Sequence, residues 1–377
     1  MLENILVPKE LPIAATFGLP PETFEPGATT WGYEIPAPES FTDPEMAAHA
    51  QYLRSLIPAV DPLYQHRDDV VPDLVYYWNH RFDNPEVLCL TGPSGSGKTS
   101  AWLQFMGKLG VPCFTLKGGG KITLGEIFGQ MSLVGGETVF EPAPMTLAPQ
   151  YGLPVLFNEF DRNPSDINVT LNDVAENRPF PVPGNHSKVV EPLPGFCIIV
   201  TTNTNMVEQN TKFGTAKAQD RSILERLSCI QVGYSTDRKV ERGILAGVLQ
   251  PYQETDLAYW FEQEGLRVNT TGSIMKEGDA VSRADFIETA LDLVQKVREL
   301  SLDPDAEDAL EVDFSTRHLR RWVHHAVQHM RLPERTGKSA LHYCLDKYVA
   351  NLATATTRVK LHQALEAVFG VGPDVKD

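Results

Sequence analysis

The run Gly92-Pro93-Ser94-Gly95-Ser96-Gly97-Lys98-Thr99, continued by Ser100, is where residue type and spacing in this 377-residue chain most directly imply chemistry. It fits the pattern GxxxxGK[ST] at every fixed position. Glycines let the backbone curl until successive N–H groups point inward at phosphate oxygens. Lys98 would add a full positive charge at the β- and γ-phosphates of a nucleoside triphosphate, and the Thr99 hydroxyl is a natural ligand for Mg²⁺. The apolar run at 86–90 before the loop reads as a strand. Residues 99–109 after it read as an amphipathic helix whose positive dipole end meets the phosphates. ATP and Mg²⁺ are the expected ligands.

A second constellation follows the apolar run Leu153–Phe157, which ends in Asn158-Glu159-Phe160-Asp161. Where such a strand accompanies a phosphate loop, two acids usually follow. The first holds the metal shell and the second polarises the attacking water. Here Asn158 stands at the metal position and Glu159 is the general-base candidate. An amide keeps an oxygen for a metal-bound water but gives up a negative charge beside a divalent ion, so slow hydrolysis is expected unless Asp161 compensates. A third strand candidate at 196–203 ends in Asn203. In a parallel sheet the carboxyl ends of strands share one edge, which would bring Asn203 beside Glu159.

The elements that must carry these residues can be read from the pattern. Short β-rich runs at Val87–Leu90, Pro112–Leu116, Val155–Phe157 and Cys197–Thr201 suit strands covered on both faces. They alternate with helical candidates at Thr99–Leu109 and Pro164–Glu176, which implies an α/β fold with a parallel sheet. Beyond Tyr234 the expected elements are helices at Thr236–Leu249, Arg283–Leu300, Ser315–Met330, Ser339–Ala355 and Thr357–Phe369. Three regions are therefore expected: a proline- and aromatic-rich arm (1–66) that docks on its own core or on a neighbour, an α/β nucleotide-binding core (67–233), and a helical lid (234–377).

Composition limits the function classes. A formal charge of −16 argues against a general nucleic-acid binder. The five cysteines show no CxxC or zinc spacing, so buried thiols in a reducing compartment are expected. No signal peptide is evident, and no stretch approaches the roughly 20 apolar residues of a membrane span. A cytoplasmic protein is the expectation. His325 and His329 stand one helical turn apart, the spacing of paired metal ligands, but nothing nearby completes a site. Arg317, Arg320, Arg321, Arg331, Arg335 and Lys338, opposed only by Glu334, form a basic segment that reads as a charged helix face rather than a nucleic-acid site.

With these residues in place, the chain resembles the MoxR branch of the AAA+ ATPases, and within it the small ATPase subunits of cobaltochelatases. The resemblance rests on the phosphate loop, on 155–166 (VLFNEFDRNPSD, where members typically read VFDEYD), on TTNTN at 201–205, LERLS at 224–228 and FSTRHLRRW at 314–322. It implies an AAA+ sandwich with a helical lid and a homo-oligomeric ring, six subunits being the family expectation. Asn203 looks like sensor 1, Arg226 like the arginine finger acting on a neighbour's nucleotide, and Arg317 like sensor 2, with Arg221 a second candidate trans contact. Gln130–Phe140 looks like the helix-2 insert and Arg178–Pro194 like the pre-sensor-1 hairpin. The branch commonly acts with a partner of von Willebrand factor A type to remodel or activate proteins. A slowly hydrolysing nucleotide-gated scaffold and, further off, a nucleic-acid-linked motor remain open as alternatives.

Overall fold

The computed structural model describes residues 5–83, 86–204, 206, 218–234, 237–268, 274–275, 280–302, 312, 314–331, 338–351 and 353–374. Asn205, Glu334 and Arg335 lie outside them. The chain divides into two compact units, one formed by 1–62, 66–93 and 97–233, the other by 63–65, 94–96 and 234–377.

In the first unit the proline-rich segment is folded against its own core. β1 (Val7–Pro12) pairs antiparallel with β2 (Thr29–Glu34), and α1 (Ile13–Phe17) lies between them in sequence. A two-stranded ribbon tolerates Pro8 and Pro12 because each strand needs its N–H groups on one side only. Asp43 caps α2 (Pro44–Ser55) by accepting from the Glu45 N–H. The anchor is aromatic. Phe17 stacks on Phe105 at 4.9 Å, and the Trp78 indole N–H donates to the Trp31 carbonyl at 2.6 Å. Ile5, Ile13, Phe17, Leu19 and Ile35 are all buried there.

The edge of the His66 ring meets Phe17 at 5.1 Å. Burial, and secondarily the charge of Lys108, pushes this imidazole down to about 4. A base with a depressed folded pKa takes up its proton mainly on unfolding. The stability it protects is therefore whole above about 6.5 and is lost as pH falls toward 4. Wild type should lose about 1–2 kcal/mol more between pH 7 and pH 5 than His66→Asn, after allowance for its partial exposure. Parallel denaturation midpoints for the two proteins across that range would refute this.

After α3 (Val71–His80) comes the sheet. β3 (Val87–Thr91), α4 (Lys98–Leu109) and β4 (Phe114–Lys117) are followed by α5 (Leu124–Phe128), the hairpin β5 (Gly129–Val134) and β6 (Glu137–Pro142), and α6 (Pro144–Tyr151). Then come β7 (Pro154–Asn158), α7 (Ser165–Val169), α8 (Asn172–Ala175), the hairpin β8 (Phe180–Val182) and β9 (Asn185–Val190), β10 (Cys197–Thr202), α9 (Arg221–Leu224) and β11 (Leu227–Gln231). Five strands form one parallel sheet in the order β11-β3-β10-β7-β4. β10 is buried at every position, as a central strand covered by helices requires.

Several expectations need correction. The helix read across Pro164–Glu176 is two short ones. Asn168 turns its amide to the Phe160 carbonyl and to Gln219, and the Thr170 hydroxyl donates to the Ile167 carbonyl at 2.6 Å. Such side-chain bonds compete with the helical ladder. β11 is an edge strand of the sheet, and Cys229 on it is exposed where a buried thiol was expected, unlike the other four cysteines.

The second unit is mainly helical, with α10 (Arg238–Leu249), α11 (Glu254–Gln263), α12 (Arg283–Leu302), α13 (Thr316–Met330), α14 (Ala340–Tyr348) and α15 (Ala355–Phe369), but against the expectation of helices alone it also pairs Arg267–Val268 antiparallel with Ile274–Met275. α11 was not anticipated. The helix expected over Ser339–Ala355 stops at Tyr348, because Thr354 caps a new helix by accepting from the Thr357 N–H. Phe261 and Phe286 stack at 4.4 Å in its core. The buried Arg298–Glu241 pair, bonded at 2.7 and 3.0 Å, ties α12 to α10. On α13, His325 stacks on Tyr348 and His329 meets the ring of Tyr343. No cluster of three metal-ligating side chains occurs among the described residues. No helix among them is long and apolar enough to cross a membrane.

Candidate nucleotide site

The site is assembled at the carboxyl ends of β3, β10 and β7, three neighbours in the sheet. β3 delivers the loop. Gly92, Gly95 and Gly97 have φ of 147°, 76° and 94°, a region side-chain-bearing residues rarely enter. A Cβ on Gly92 would lie 2.3 Å from the Val232 carbonyl oxygen, so the loop is seated against the segment leaving β11.

Lys98, at the first turn of α4, is 6% exposed. Its ammonium donates to the Gly92 and Pro93 carbonyls, each at 2.7 Å, and to Asn203 Oδ1 at 2.9 Å. The lysine of the loop and the asparagine that follows β10 thus meet directly, a contact other than the one with Glu159 that the parallel topology suggested.

Asn158 closes the other side. Its Oδ1 accepts from the Thr99 hydroxyl at 2.7 Å and from the Thr201 hydroxyl at 3.3 Å. The Thr201 hydroxyl in turn accepts from the Glu159 N–H at 3.1 Å. Glu159 sits at φ 56°, ψ 39°, a left-handed conformation uncommon for a residue with a side chain. The turn is held from both sides. Gly118 N–H donates to the Asn158 carbonyl at 2.6 Å, and a Cβ at Gly118 would strike the Glu159 carbonyl at 2.3 Å. The Glu159 carboxylate pairs with Arg162 at 3.1 Å in a half-exposed contact.

Asp161 does not reach the metal position as a compensating charge. Buried at 1% exposure, its Oδ2 accepts from the Asn203 N–H at 2.9 Å and the Thr204 hydroxyl at 3.1 Å. Its Oδ1 is buried with no hydrogen-bond partner among the described residues. It positions the end of β10.

Sequence reading missed a group of buried amides behind this turn. Asn163 accepts from the Gly119 N–H at 3.0 Å and donates to Asn168 at 2.9 Å; Asn168 donates to Gln219 at 2.8 Å, and Gln219 returns a bond to the Asn163 carbonyl at 3.1 Å. The closed circuit fixes the residues after Glu159 to those just before α9. Adjacent Asn, Asp and Pro at 161–168 pointed only to a turn.

One residue proposed from resemblance is not part of this cluster. Arg226 lies at the amino end of the sheet, where its carbonyl accepts from the Val87 N–H at 3.1 Å. The phosphate loop leaves the opposite end of β3, roughly 15 Å away at the ordinary rise of a strand. Arg226 faces Glu176 instead, donating from Nε at 2.8 Å. Arg317 belongs to the second unit, exposed in the first turn of α13.

The donor set fits a magnesium nucleotide. The Thr99 hydroxyl and Asn158 amide oxygen are adjacent hard oxygen donors, Lys98 supplies the phosphate charge, and the Ser96 hydroxyl is buried without a partner among the described residues. When bound, Mg²⁺ would polarise the terminal phosphate.

A five-stranded parallel sheet of this order, with its glycine loop, an acidic turn on the neighbouring strands and a helical C-terminal part, is the AAA+ P-loop fold. In agreement, residues 87–221 match the AAA domain of the dynein-related subfamily. Protein NorQ of Paracoccus denitrificans is 28% identical over 120 residues, which is 32% of this chain and 44% of that protein. Midasin of Giardia intestinalis is 28% identical over 162 residues, 40% of this chain but only 3% of midasin. The chain therefore spans less than half the length of either relative. Among solved structures, NtrX from Brucella abortus aligns with a TM-score of 0.41 at 15% identity, covering 82% of this chain and 60% of that one. Its complex with ADP aligns with a TM-score of 0.42 at 14% identity, over 87% and 62%.

Proposed function

We propose that this chain binds ATP with Mg²⁺ and acts within a ring of its own copies to remodel or activate a partner protein, in the manner of the MoxR branch. One observation carries the reading. Lys98, Thr99, Asn158, Glu159 and Asn203 converge at one end of the sheet, while Arg226 stands at the other and is of no use to its own nucleotide. An arginine so placed serves a neighbour, where it neutralises charge as the terminal phosphate departs. Head-to-tail contacts of that kind close into rings, and six subunits is the number the resemblance implies.

The partner surface is proposed on the two hairpins. Met131, Leu133, Val134 and Val139 on β5–β6 and Val189 on β9 are exposed apolar side chains, which suit a protein partner better than solvent. The cobaltochelatase-type kinship and a partner of von Willebrand factor A type rest on the resemblance; a cytoplasmic setting rests on the sequence. A second reading, a nucleotide-gated scaffold that assembles on ATP but turns over slowly, is favoured by Asn158.

Size-exclusion chromatography with light scattering, with and without ATP·Mg²⁺, tests the proposal. A shift from small species to a ring-sized assembly is the expected result. A protein that stays monomeric with ATP, with ADP and with a non-hydrolysable analogue would end the ring reading.

A further inference from the structure

Glu176 holds two arginines at once. Its Oε1 accepts from Nε of Arg226 at 2.8 Å and pairs with the same guanidinium through Nη2, while its Oε2 pairs with Arg178. Arg226 is held further by a bond from Nη1 to the Ser222 carbonyl. All three nitrogens of Arg226 are therefore engaged within the chain, and its charge is matched. Glu176 terminates α8. Asn177 follows at φ 53°, its amide donating to the Phe196 carbonyl, and Arg178 then leads into the β8–β9 hairpin. The hairpin root and the arginine before β11 thus share one carboxylate.

We propose that Glu176 is a latch on Arg226, released when Arg178 draws the carboxylate toward the hairpin. Glu176 is a positioning residue here, because it acts through Arg226 and touches no substrate. The proposal rests on the reading of Arg226 as the group that serves a neighbour's nucleotide. A guanidinium fork occupied by one carboxylate cannot grip a phosphate with the same edge, so Arg226 must leave Glu176 to act. Pairs of this exposure are held weakly, with Glu176 and Arg226 both about a quarter exposed. The latch is therefore reversible, and releasing it should change rates by a few-fold to about tenfold. Arg178, 65% exposed at the hairpin root, can follow a hairpin displaced by a bound partner. Its position would set how much of Glu176 is left for Arg226. Arg221, exposed and paired with no described residue, has no such restraint.

Opposite signs test the latch. Phosphate release at saturating ATP·Mg²⁺ is measured for wild type, Glu176→Gln, Glu176→Ala, Arg178→Ala and Arg226→Ala. Assembly and fluorescent-nucleotide affinity are followed in parallel. Both Glu176 variants should be faster by roughly three- to tenfold and Arg178→Ala slower, with assembly and affinity unchanged. Glu176→Gln keeps the shape and a hydrogen bond, so it covers the case in which the alanine variant folds poorly. Slower turnover in Glu176→Gln with normal assembly overturns the latch and makes Glu176 an aiming group. A rate unchanged or raised in Arg178→Ala overturns the competition. An unaltered rate in Arg226→Ala instead removes the underlying reading of Arg226. Solvent exchange of the Arg226 Nε–H in the nucleotide-free protein, followed by NMR, reports the latch without any turnover: it should be slowest in wild type, faster in Glu176→Gln, whose neutral amide oxygen holds the donor more weakly, and fastest in Glu176→Ala, and equal rates in all three would refute it.

Discussion

Lys98→Ala is expected to lose about a hundredfold or more in affinity for ATP·Mg²⁺, and with it any measurable turnover at millimolar nucleotide. The ammonium is already aimed: two loop carbonyls and Asn203 hold it at the mouth of the nest before nucleotide arrives. Phosphate then exchanges with these acceptors for the three donors, while the charge itself stays in place. Two lost charge-assisted hydrogen bonds, at roughly 1.5–3 kcal/mol each, give the stated factor or more. The substitution also removes a donor that joins the loop to β10, so a modest fall in melting temperature should accompany it. Isothermal titration with ATP·Mg²⁺ decides the matter. Wild-type affinity in a folded Lys98→Ala protein would show that the nest is not the nucleotide site.

How far the sequence foretold this site depends on how local each determinant is. β3, the loop and α4 were legible almost to the residue. A continuous apolar run, a glycine pattern and a 3.6-residue period each report on a few neighbours, and all three agreed. The pairing of Lys98 with Asn203, 105 residues apart, was also reachable, because parallel strands bring their carboxyl ends to one edge. The exposure of Cys229 was not. Leu227–Gln231 mixes Ser, Cys and Gln with two apolar residues because an edge strand is only half covered. Asp161 was misjudged for a related reason. Its spacing after Asn158 suggested a metal role, but the side-chain direction depends on the turn at Glu159, whose positive φ no local propensity encodes. The bond between Arg226 and Glu176 joins residues 50 apart through an irregular corner, and only the fold reveals it.

Asn158→Asp should raise ATP turnover about tenfold or more and lower the Mg²⁺ concentration needed for half-maximal rate. The geometry makes this a nearly pure change of charge. Asn158 uses Oδ1 to accept from Thr99 and Thr201, and a carboxylate oxygen accepts the same two hydroxyl bonds without moving. What changes is one unit of negative charge beside a divalent ion. At effective dielectric constants near 20 that attraction amounts to several kcal/mol before desolvation is subtracted. Retaining about 1.4 kcal/mol of it in the transition state suffices for the tenfold. The cost appears without metal: the introduced carboxylate would stand near Glu159 and the buried Asp161, so the metal-free variant should melt lower than wild type and recover on adding Mg²⁺. Lys98 limits that cost, since its ammonium is joined to the same strand ends. Phosphate release across a Mg²⁺ series, with melting curves at each point, tests both halves together. Equal, brisk rates in the two proteins would mean that the amide serves the metal as well as an acid does, and the slow-scaffold reading would lose its support. A tenfold gain confined to the aspartate variant would mark Asn158 as the residue that holds hydrolysis back while leaving nucleotide binding intact.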